Sequence, residues 1–241
     1  MAHAMLVAYY YDMDKVSAQR PAIVIVAKLP VPGRVKTRLC PPLTPHEAAA
    51  LYACFLQDTV AKVAGLSISE AFIALNIAEL GEERQALLDT IMLPGSVRVI
   101  DQGEGDLGVR LSKILTDAFP EPAQVVFIGA DSPSLPRSYL ARAVSSLERH
   151  DVVIGPSDDG GYYLIGLSGN HLCVFKDIAW STSAVFEQTL ARAVAAGLDV
   201  DVLPGWFDID DDAGLRRLHR ELRDDPSTAP RTTSYLANYR P

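Results

Sequence analysis

The chain has 241 residues, of which 49% are hydrophobic, and its formal net charge is −8 at pH 7. This length and apolar content are sufficient for one large α/β domain with a substantial core. The negative charge argues against nucleic-acid binding, because an acidic surface repels a phosphate backbone. An anionic ligand would have to be bound where basic residues are concentrated locally.

The sequence predicts a cytoplasmic protein that does not interact with membranes. No apolar run reaches the roughly 18 to 20 residues that cross a bilayer. The stretch 5–11 lacks the basic region and the length of a signal peptide. The three cysteines, Cys40, Cys54 and Cys173, form no CxxC pair and leave an odd thiol, which suits a reducing compartment.

The predicted strands are short and apolar. Residues 1–20 show no clear period and are interpreted as an N-terminal extension, so that the domain covers 21–223. Its first strand, 22–27, is a continuous β-branched run, which is typical of a strand buried on both faces of a parallel sheet. Further strands are predicted at 71–75, 97–100, 125–128, 152–154, 162–167 and 200–203.

Helical patterns lie between most of these strands. The clearest begins at Thr44, where Thr44 and Glu47 form a capping box with Pro45 at the first helical position, and it ends at Gly65. Further helices are predicted at 82–88, 107–119, 137–149, 183–196 and 213–222, and the polar stretch 224–241 is interpreted as a C-terminal tail on the surface. The alternation indicates an α/β fold with a mainly parallel sheet, which binds ligands beyond the carboxyl ends of its strands.

A basic loop follows the first strand, with four cations in eleven residues: Lys28, Arg34, Lys36 and Arg38. Its prolines and its glycine restrict the backbone, so the cations and the N–H groups can be preorganised around a phosphate. The alternative is a solvated basic turn. The loop is not a P-loop, because Val35 stands where that motif needs a glycine. The predicted phosphate-binding residues here also include Ala27, Pro32 and Gly33.

A GxGxxG pattern occurs at 103–108, between a predicted strand and a predicted helix. A dinucleotide fingerprint is disfavoured, because Glu104 and Asp106 would face a pyrophosphate. A glycine turn with Asp106 as the helix cap is the simpler interpretation. A third possibility is a loop over the base or ribose of a nucleotide, with Arg110 pointing inward.

Acidic residues follow two other strands. Asp131 comes at the end of a buried strand after Gly129 and Ala130, which are predicted to contact the nucleotide or its phosphates. Strand alternation would turn Asp208 and Asp210 to one face. Carboxylates are the ligands that a hard divalent cation prefers. The alternatives are an Asx turn at Asp131 and, for the later group, solvent exposure with capping of the next helix by Asp211 and Asp212.

The segment 155–163 contains Asp158, Asp159, Gly160 and Gly161 between two strands. It is either an ordinary tight turn or a place where the backbone approaches a sugar or phosphate, with an aspartate binding hydroxyls. In the segment 180–182, Ser181 or Thr182 is interpreted first as a helix N-cap. A role for Trp180 on the acceptor side is the weaker interpretation.

Five ordered segments resemble the GT-A superfamily of nucleotide-diphospho-sugar transferases, and within it the DUF2064-type glycosyltransferase-like family, which includes proteins of arsenosugar biosynthesis. They are AKxPxPGxVKTRL ending at Leu39, GxGDLGxR ending at Arg110, GADSPSLP at 129–136, GPSDDGGYYLIGL at 155–167, and WST with the later DIDD. The first segment also resembles the K-x-x-K-[ST]-R-L run of phospholactate guanylyltransferases. The glycine-rich signature of sugar nucleotidyltransferases is replaced here by a proline-rich loop.

The resemblance implies a Rossmann-like GT-A fold, a three-layer α/β/α sandwich with a mainly parallel mixed sheet. It also implies a nucleotide donor and a Mg²⁺ or Mn²⁺ ion. Carried over to this chain, Asp131 is the metal-binding acid, Asp208 or Asp210 is the second ligand, and Lys28, Arg34, Lys36 and Arg38 hold the phosphates.

The sequence therefore predicts a metal-dependent transferase that passes a glycosyl group from a nucleoside-diphosphate sugar to a small-molecule acceptor. Lys36 and Arg38 would stabilise the departing diphosphate, and Asp158 or Asp159 would be the base. The main alternative joins an NTP to a phosphorylated small molecule and releases pyrophosphate. A nicotinamide oxidoreductase and a non-catalytic nucleotide-binding protein are alternatives from other classes, and a homodimer is left open.

Overall fold

The computed structural model describes residues 20–76, 84–119 and 123–237. The predicted N-terminal extension, apart from residue 20, lies outside these residues. Within them, seven strands form one sheet in the order β3-β2-β1-β4-β6-β5-β7. The strands are β1 (Ala22–Val26), β2 (Glu70–Leu75), β3 (Val97–Asp101), β4 (Val125–Gly129), β5 (Val152–Pro156), β6 (Tyr162–Leu167) and β7 (Val200–Val202).

The sheet is mixed because β6 alone runs against its neighbours. It pairs antiparallel with β4 and with β5, whereas the other neighbouring pairs are parallel. The carboxyl ends of β1, β3, β4 and β5 consequently meet at one edge of the sheet, and the hairpin between β5 and β6 lies at that same edge. The predicted α/β fold with a mainly parallel mixed sheet is confirmed.

Seven α-helices lie among the described residues: α1 (Pro45–Ala64), α2 (Arg84–Ile91), α3 (Leu107–Ala118), α4 (Arg137–Ser146), α5 (Val185–Ala195), α6 (Asp212–Asp224) and α7 (Pro230–Leu236). The capping box predicted at Thr44 is present, since the Thr44 hydroxyl accepts from the Glu47 N–H and the Glu47 carboxylate accepts from the Thr44 N–H. Short 3₁₀ helices occupy Thr37–Leu39 and Leu172–Phe175.

Apolar side chains pack against both faces of the sheet, as expected for strands that are buried on each side. Ile23 and Ile25 of β1 belong to a core cluster with α1, whereas Val24 belongs to a second cluster with α3. Alternate residues of one short strand therefore supply two cores. This three-layer arrangement leaves only the ends of the strands open to a ligand.

The C-terminal stretch differs from the prediction of a tail lying on the surface. Residues Pro230–Leu236 form α7, in which Thr232 and Leu236 are buried. The carboxylate of Asp58 on α1 is itself buried and accepts hydrogen bonds from the N–H groups of Arg231 and Thr232 at 3.1 and 2.8 Å. A residue of α1 thus caps the start of α7, and the composition of the C-terminal stretch alone does not distinguish such a helix from a solvated tail.

Two smaller predictions are also wrong. Neither Ser181 nor Thr182 caps the following helix, because α5 begins only at Val185 with Ala184 at its N-cap. The helix predicted over 137–149 ends at Ser146, where Leu147 takes the C-cap position. In the described part of the chain, no helix has both the length and the apolar content to span a membrane.

Lys62 of α1 supports the loop that follows β4. Its ammonium is buried and donates to the carbonyls of Pro133 and Leu135 at 2.7 and 2.5 Å. Burial is the largest influence on this group and lowers the pKa of Lys62 to about 8, while Asp58 opposes the shift. The loop that carries Asp131 is therefore anchored to α1 by an ammonium whose charged form is disfavoured by burial.

This anchor predicts a pH dependence of stability. The folded pKa of Lys62 lies below its value in the unfolded chain, so between about pH 8 and 10.5 only the unfolded state holds the proton, and stability rises with pH. Urea unfolding should show the wild type gaining roughly 2–4 kcal/mol relative to Lys62→Met across this window. Equal pH dependence in the two proteins would contradict the assigned burial cost.

Candidate functional site

A cleft of about 800 Å³ opens at the edge of the sheet where the parallel strands end. Its walls come from the loops after β1, β3, β4 and β5 and from the segments that precede α5 and α6. Every sequence segment that was predicted to carry functional residues therefore contributes to this one cavity. The volume is in the usual range for a small-molecule site.

The basic loop lies on one side of this cleft. Lys28, Arg34 and Arg38 line it and are exposed, whereas the side chain of Lys36 is only 4% exposed. Lys36 has a left-handed backbone with φ of 49°, directly before the 3₁₀ helix Thr37–Leu39. Lys36 therefore differs from the other three cations of the loop in having a buried side chain.

The Lys36 ammonium lies between two carboxylates that face the cleft. It forms an ion pair with Asp131 and another with Asp210, the latter with an Nζ–Oδ1 distance of 3.0 Å. Burial alone would lower the pKa of Lys36, but the two carboxylates outweigh it and the pKa is raised. The basic loop and the acidic residues therefore meet, as the sequence interpretation required.

Backbone hydrogen bonds fasten the two acidic loops together. The Ile209 N–H donates to the Asp131 carbonyl at 3.0 Å, and the Ser132 hydroxyl lies 2.9 Å from the Phe207 carbonyl. Ser132 also contacts the carboxylate of Asp208. These contacts place Asp131, Asp208 and Asp210 on one wall of the cleft.

The acidic wall carries more negative charge than its nearest cation balances. Burial is the main reason that the pKa of Asp208 is raised to about 6; Asp131, Asp159 and Asp210 add to the increase, and the Ser132 hydrogen bond opposes it. Neighbouring carboxylates that disfavour one another's charged forms also attract cations, so this wall is suited to a cation.

The donor set fits a divalent cation of the magnesium type. In the residues that the structure describes, no three His, Cys, Asp or Glu side chains form a ready-made cage. Mg²⁺ does not need one, because it is commonly held by one or two carboxylates, waters and substrate phosphates. The partly exposed carboxylates of Asp131 and Asp210 meet that requirement.

The loop after β3 forms another part of the wall. Asp106 caps α3 by accepting from the Val109 N–H at 2.9 Å, so the capping interpretation is confirmed. The Arg110 guanidinium donates to the Gln102 side chain at 2.8 Å, and the Gln102 amide donates to the Ala27 carbonyl at 3.1 Å. This chain of hydrogen bonds joins the ends of β3 and β1.

The glycines at 103–108 follow an edge strand, where the structure gives them local tasks. Gly103 and Gly105 have positive φ values of 69° and 105°. Gly108 makes room for an aromatic ring, since a Cβ there would lie 2.7 Å from the indole of Trp180. Packing and turn geometry account for these glycines without a dinucleotide.

The hairpin at 157–161 separates its two aspartates. Asp159 lines the cleft, and its Oδ1 accepts from the Gly161 N–H at 2.9 Å. Asp158 instead pairs with Arg217 of α6 at 2.5 Å, and it is not among the residues that line the cleft. Position therefore favours Asp159 over Asp158 for any contact with a substrate.

An aromatic wall completes the cleft. Trp180 and Tyr162 stand nearly perpendicular, with ring centroids 6.4 Å apart. The buried Tyr162 hydroxyl has no hydrogen-bond partner among the described residues, and burial raises the pKa of Tyr162 above its ordinary range. On the other side, Tyr52 of α1 accepts from the Lys28 N–H at 3.1 Å.

Most of the predicted site residues line the cleft: Ala27, Lys28, Arg34, Lys36, Arg38, Asp106, Arg110, Gly129, Asp131, Asp159, Gly161, Trp180, Asp208 and Asp210. Pro32, Gly33, Ala130, Asp158 and Gly160 are not among the lining residues. Sequence reasoning missed Tyr52, Gln102 and Tyr162, which also line it. Their position within or beside apolar segments marks them as core residues, and only the fold shows that they border a cavity.

The fold and the cleft define an α/β protein with a cleft lined by charged residues at the carboxyl ends of its strands. The model of DUF2064, a family described as uncharacterized proteins conserved in bacteria, matches residues 59–182. The chain belongs to this family.

The names of two relatives indicate a class of reaction. A protein from Desulfovibrio desulfuricans G20, provisionally named a nucleotide-diphospho-sugar transferase, is 31% identical, and its structure matches with a TM-score of 0.80 over 91% of this chain and 95% of its own. The 2-phospho-L-lactate guanylyltransferase of Methanothermobacter thermautotrophicus is 26% identical over 173 residues, 71% of each chain. Both names describe transferases, and the prediction that the chain is an enzyme is confirmed.

A more distant match concerns the fold alone. The 4-diphosphocytidyl-2C-methyl-D-erythritol synthase from Anaerococcus prevotii is 10% identical, with a TM-score of 0.56 over 84% of this chain and 96% of its own. The arrangement of strands and helices thus extends well beyond recognisable sequence similarity.

Gly160 allows a test of whether close packing against the segment before α5 requires a glycine at this position. Gly33 and Gly160 have similar φ values of 77° and 86°, but a Cβ on Gly160 would lie 2.2 Å from the Ser183 carbonyl oxygen, whereas Gly33 has open space. Gly33→Ala should cost roughly 1–2 kcal/mol from the left-handed backbone. Gly160→Ala should cost roughly 1–3 kcal/mol more, from the clash. Urea unfolding measures both, and equal losses would show that Gly160 does not need its contact with the segment before α5.

Proposed function

We propose that the protein is a metal-dependent transferase that uses a nucleotide-activated donor, and that it transfers a glycosyl group from a nucleoside-diphosphate sugar to a small acceptor. The observation that carries the proposal is the meeting of the basic loop and the acidic wall at Lys36, Asp131 and Asp210 in one cleft. A polyphosphate in such a cleft has cations on one side and carboxylates able to share a metal ion on the other.

The exposed cations of the basic loop are suited to hold the phosphates. Lys28, Arg34 and Arg38 line the cleft after β1, and the overall charge of −8 makes this local positive group the natural attractor for an anion. A departing diphosphate gains negative charge in the transition state. Cations already in position stabilise that charge without the cost of reorganising solvent.

Asp131, with Asp210 or Asp208, would hold Mg²⁺ or Mn²⁺ in this proposal. The ion would supply charge stabilisation at the phosphate oxygens. The backbone contact between Ile209 and Asp131 keeps the two carboxylate-bearing loops at a fixed separation. The chain thus orients its ligands before any substrate is bound.

The acceptor would lie toward the hairpin and the aromatic wall. Asp159 and Gly161 border this part of the cleft together with Trp180. The Gly161 N–H donates to Oδ1 of Asp159, so a contact within the hairpin orients this carboxylate. We assign Asp159 as the group that takes the proton from an acceptor hydroxyl.

Nucleotidyl transfer is the second candidate. It is favoured by the guanylyltransferase relative, whose match covers 71% of this chain. The same cations and carboxylates would then hold a triphosphate, an acceptor phosphate would attack its α-phosphorus, and pyrophosphate would leave. Only the bond that is broken differs between the two candidates.

A thermal-shift panel of NTPs and nucleoside-diphosphate sugars, each with and without Mn²⁺, separates these functions. A bound donor at about 100 times its dissociation constant should raise the melting temperature by roughly 5–10 °C for a chain of this size. Larger shifts with nucleotide sugars support glycosyl transfer, and larger shifts with NTPs support the second candidate. Asp131→Ala should abolish the part of the shift that requires Mn²⁺.

Two results of this panel would count against the proposal. A shift in Asp131→Ala that keeps its full dependence on Mn²⁺ would contradict the assignment of Asp131 as a metal ligand. Metal-dependent binding with no turnover of any donor, across a panel of small acceptors, would instead indicate a nucleotide-binding protein without catalysis.

The two aspartates of the hairpin form a matched pair for the proposed base. Asp159→Asn keeps an oxygen for the Gly161 N–H but removes the proton acceptor, so kcat should fall by about 100-fold or more. Asp158→Asn changes an exposed residue that pairs with Arg217 and should alter kcat by less than about threefold. Steady-state kinetics with the donor from the panel measures both, and a similar loss in the two variants would contradict the role of Asp159.

A further inference from the structure

Lys36 occupies an unusual position for a residue of a phosphate-binding loop. Its side chain is 4% exposed, and its ammonium contacts the Oδ1 atoms of Asp131 and Asp210. The two carboxylates are 44% and 49% exposed and border the cleft. The ammonium is therefore nearly enclosed beside two partly exposed carboxylates, whereas the loop's other three cations are exposed.

The rest of the pocket around Lys36 is aromatic. Its Nζ lies 6.0 Å from the ring centroids of both Tyr52 and Phe55 on α1. These rings stabilise a cation weakly at that distance, and they exclude water. The ammonium thus depends on Asp131 and Asp210 for most of its compensation.

The same two carboxylates are the ones proposed to hold the metal ion. A divalent cation and the Lys36 ammonium would repel each other at this short separation, and each would weaken the other's hold on the shared oxygens. The carboxylates of Asp208 and Asp159 add negative charge to the region but do not contact the ammonium. Competition for Asp131 and Asp210 follows from geometry and sign of charge.

We infer that Lys36 is an internal competitor of the metal ion: it pairs with Asp131 and Asp210 in the free protein, and it transfers to the phosphates of the donor when the metal and the donor bind together. The inference rests on the proposed function, because a polyphosphate must receive the displaced ammonium. It predicts weak metal binding to the free protein and positive coupling between the metal and polyphosphate, which is reciprocal by thermodynamic linkage.

The test measures Mn²⁺ binding rather than activity. Free Mn²⁺ is followed by electron paramagnetic resonance in titrations of the full chain, without any phosphate. Lys36→Met, which keeps the length of the side chain without its charge, should bind Mn²⁺ roughly tenfold more tightly than the wild type. Arg38→Met removes an exposed cation that no contact joins to Asp131 or Asp210, and it should change the affinity by less than about threefold.

A second measurement examines the transfer to phosphate. The preformed Mn²⁺–pyrophosphate complex is titrated into each protein, and binding is followed by water-proton relaxation. In the wild type the complex should bind roughly tenfold more tightly than Mn²⁺ alone, and in Lys36→Met this advantage should fall below about threefold. If Lys36→Met does not fold, as judged by circular dichroism, Lys36→Gln serves in its place.

The outcomes are distinct. Mn²⁺ binding by the Lys36 variant that is no tighter than in the wild type would overturn the inference while leaving Asp131 as a metal ligand. Failure of every protein to bind Mn²⁺, with or without pyrophosphate, would overturn both the inference and the metal dependence of the proposed function. Nucleotide shifts that persist without metal would then still support a nucleotide-using transferase.

Discussion

The contact of one buried ammonium with two carboxylates organises the cleft. Lys36 follows β1, Asp131 follows β4 and Asp210 follows β7, and 174 positions of sequence separate the first residue from the last. A buried ion pair is seldom a net source of stability, because desolvation offsets much of the Coulomb attraction. The position of Lys36 is therefore better explained by the proposed polyphosphate ligand than by the stability of the fold.

Polar contacts behind the site hold this arrangement in place. Lys62 anchors the carbonyls of the loop after Asp131, and the Ile209 N–H fixes the loop that carries Asp208 and Asp210. Tyr52 accepts from the backbone of Lys28 at the start of the basic loop. Helix α1 thus supports both sides of the cleft, since Tyr52 and Lys62 lie on it. A site built this way has little freedom to reorganise, which is the condition for preorganised electrostatic stabilisation.

The sequence predicts the secondary-structure elements better than the contacts between residues that are distant in the chain. The apolar run of β1, the capping box at Thr44 and the alternation of strands with helices are local patterns, and each is found as predicted. Helix α7 was missed because its burial depends on Asp58, far away in the chain. The partner of Lys36 was missed for the same reason: the basic loop indicates an anion, and only the fold shows that the nearest anions belong to the protein.

The two hairpin aspartates show how a local pattern leaves function open until packing assigns it. In sequence, Asp158 and Asp159 are equivalent neighbours before two glycines. Asp158 forms an ion pair with Arg217 of α6, whose guanidinium lies 3.7 Å from the centroid of the Phe207 ring. The Asp158 carboxylate is therefore held by α6. Asp159 borders the cleft beside Asp208, where a substrate of the proposed reaction would meet its carboxylate. Packing of α6 against the hairpin, rather than the motif itself, therefore decides which carboxylate can take part in chemistry.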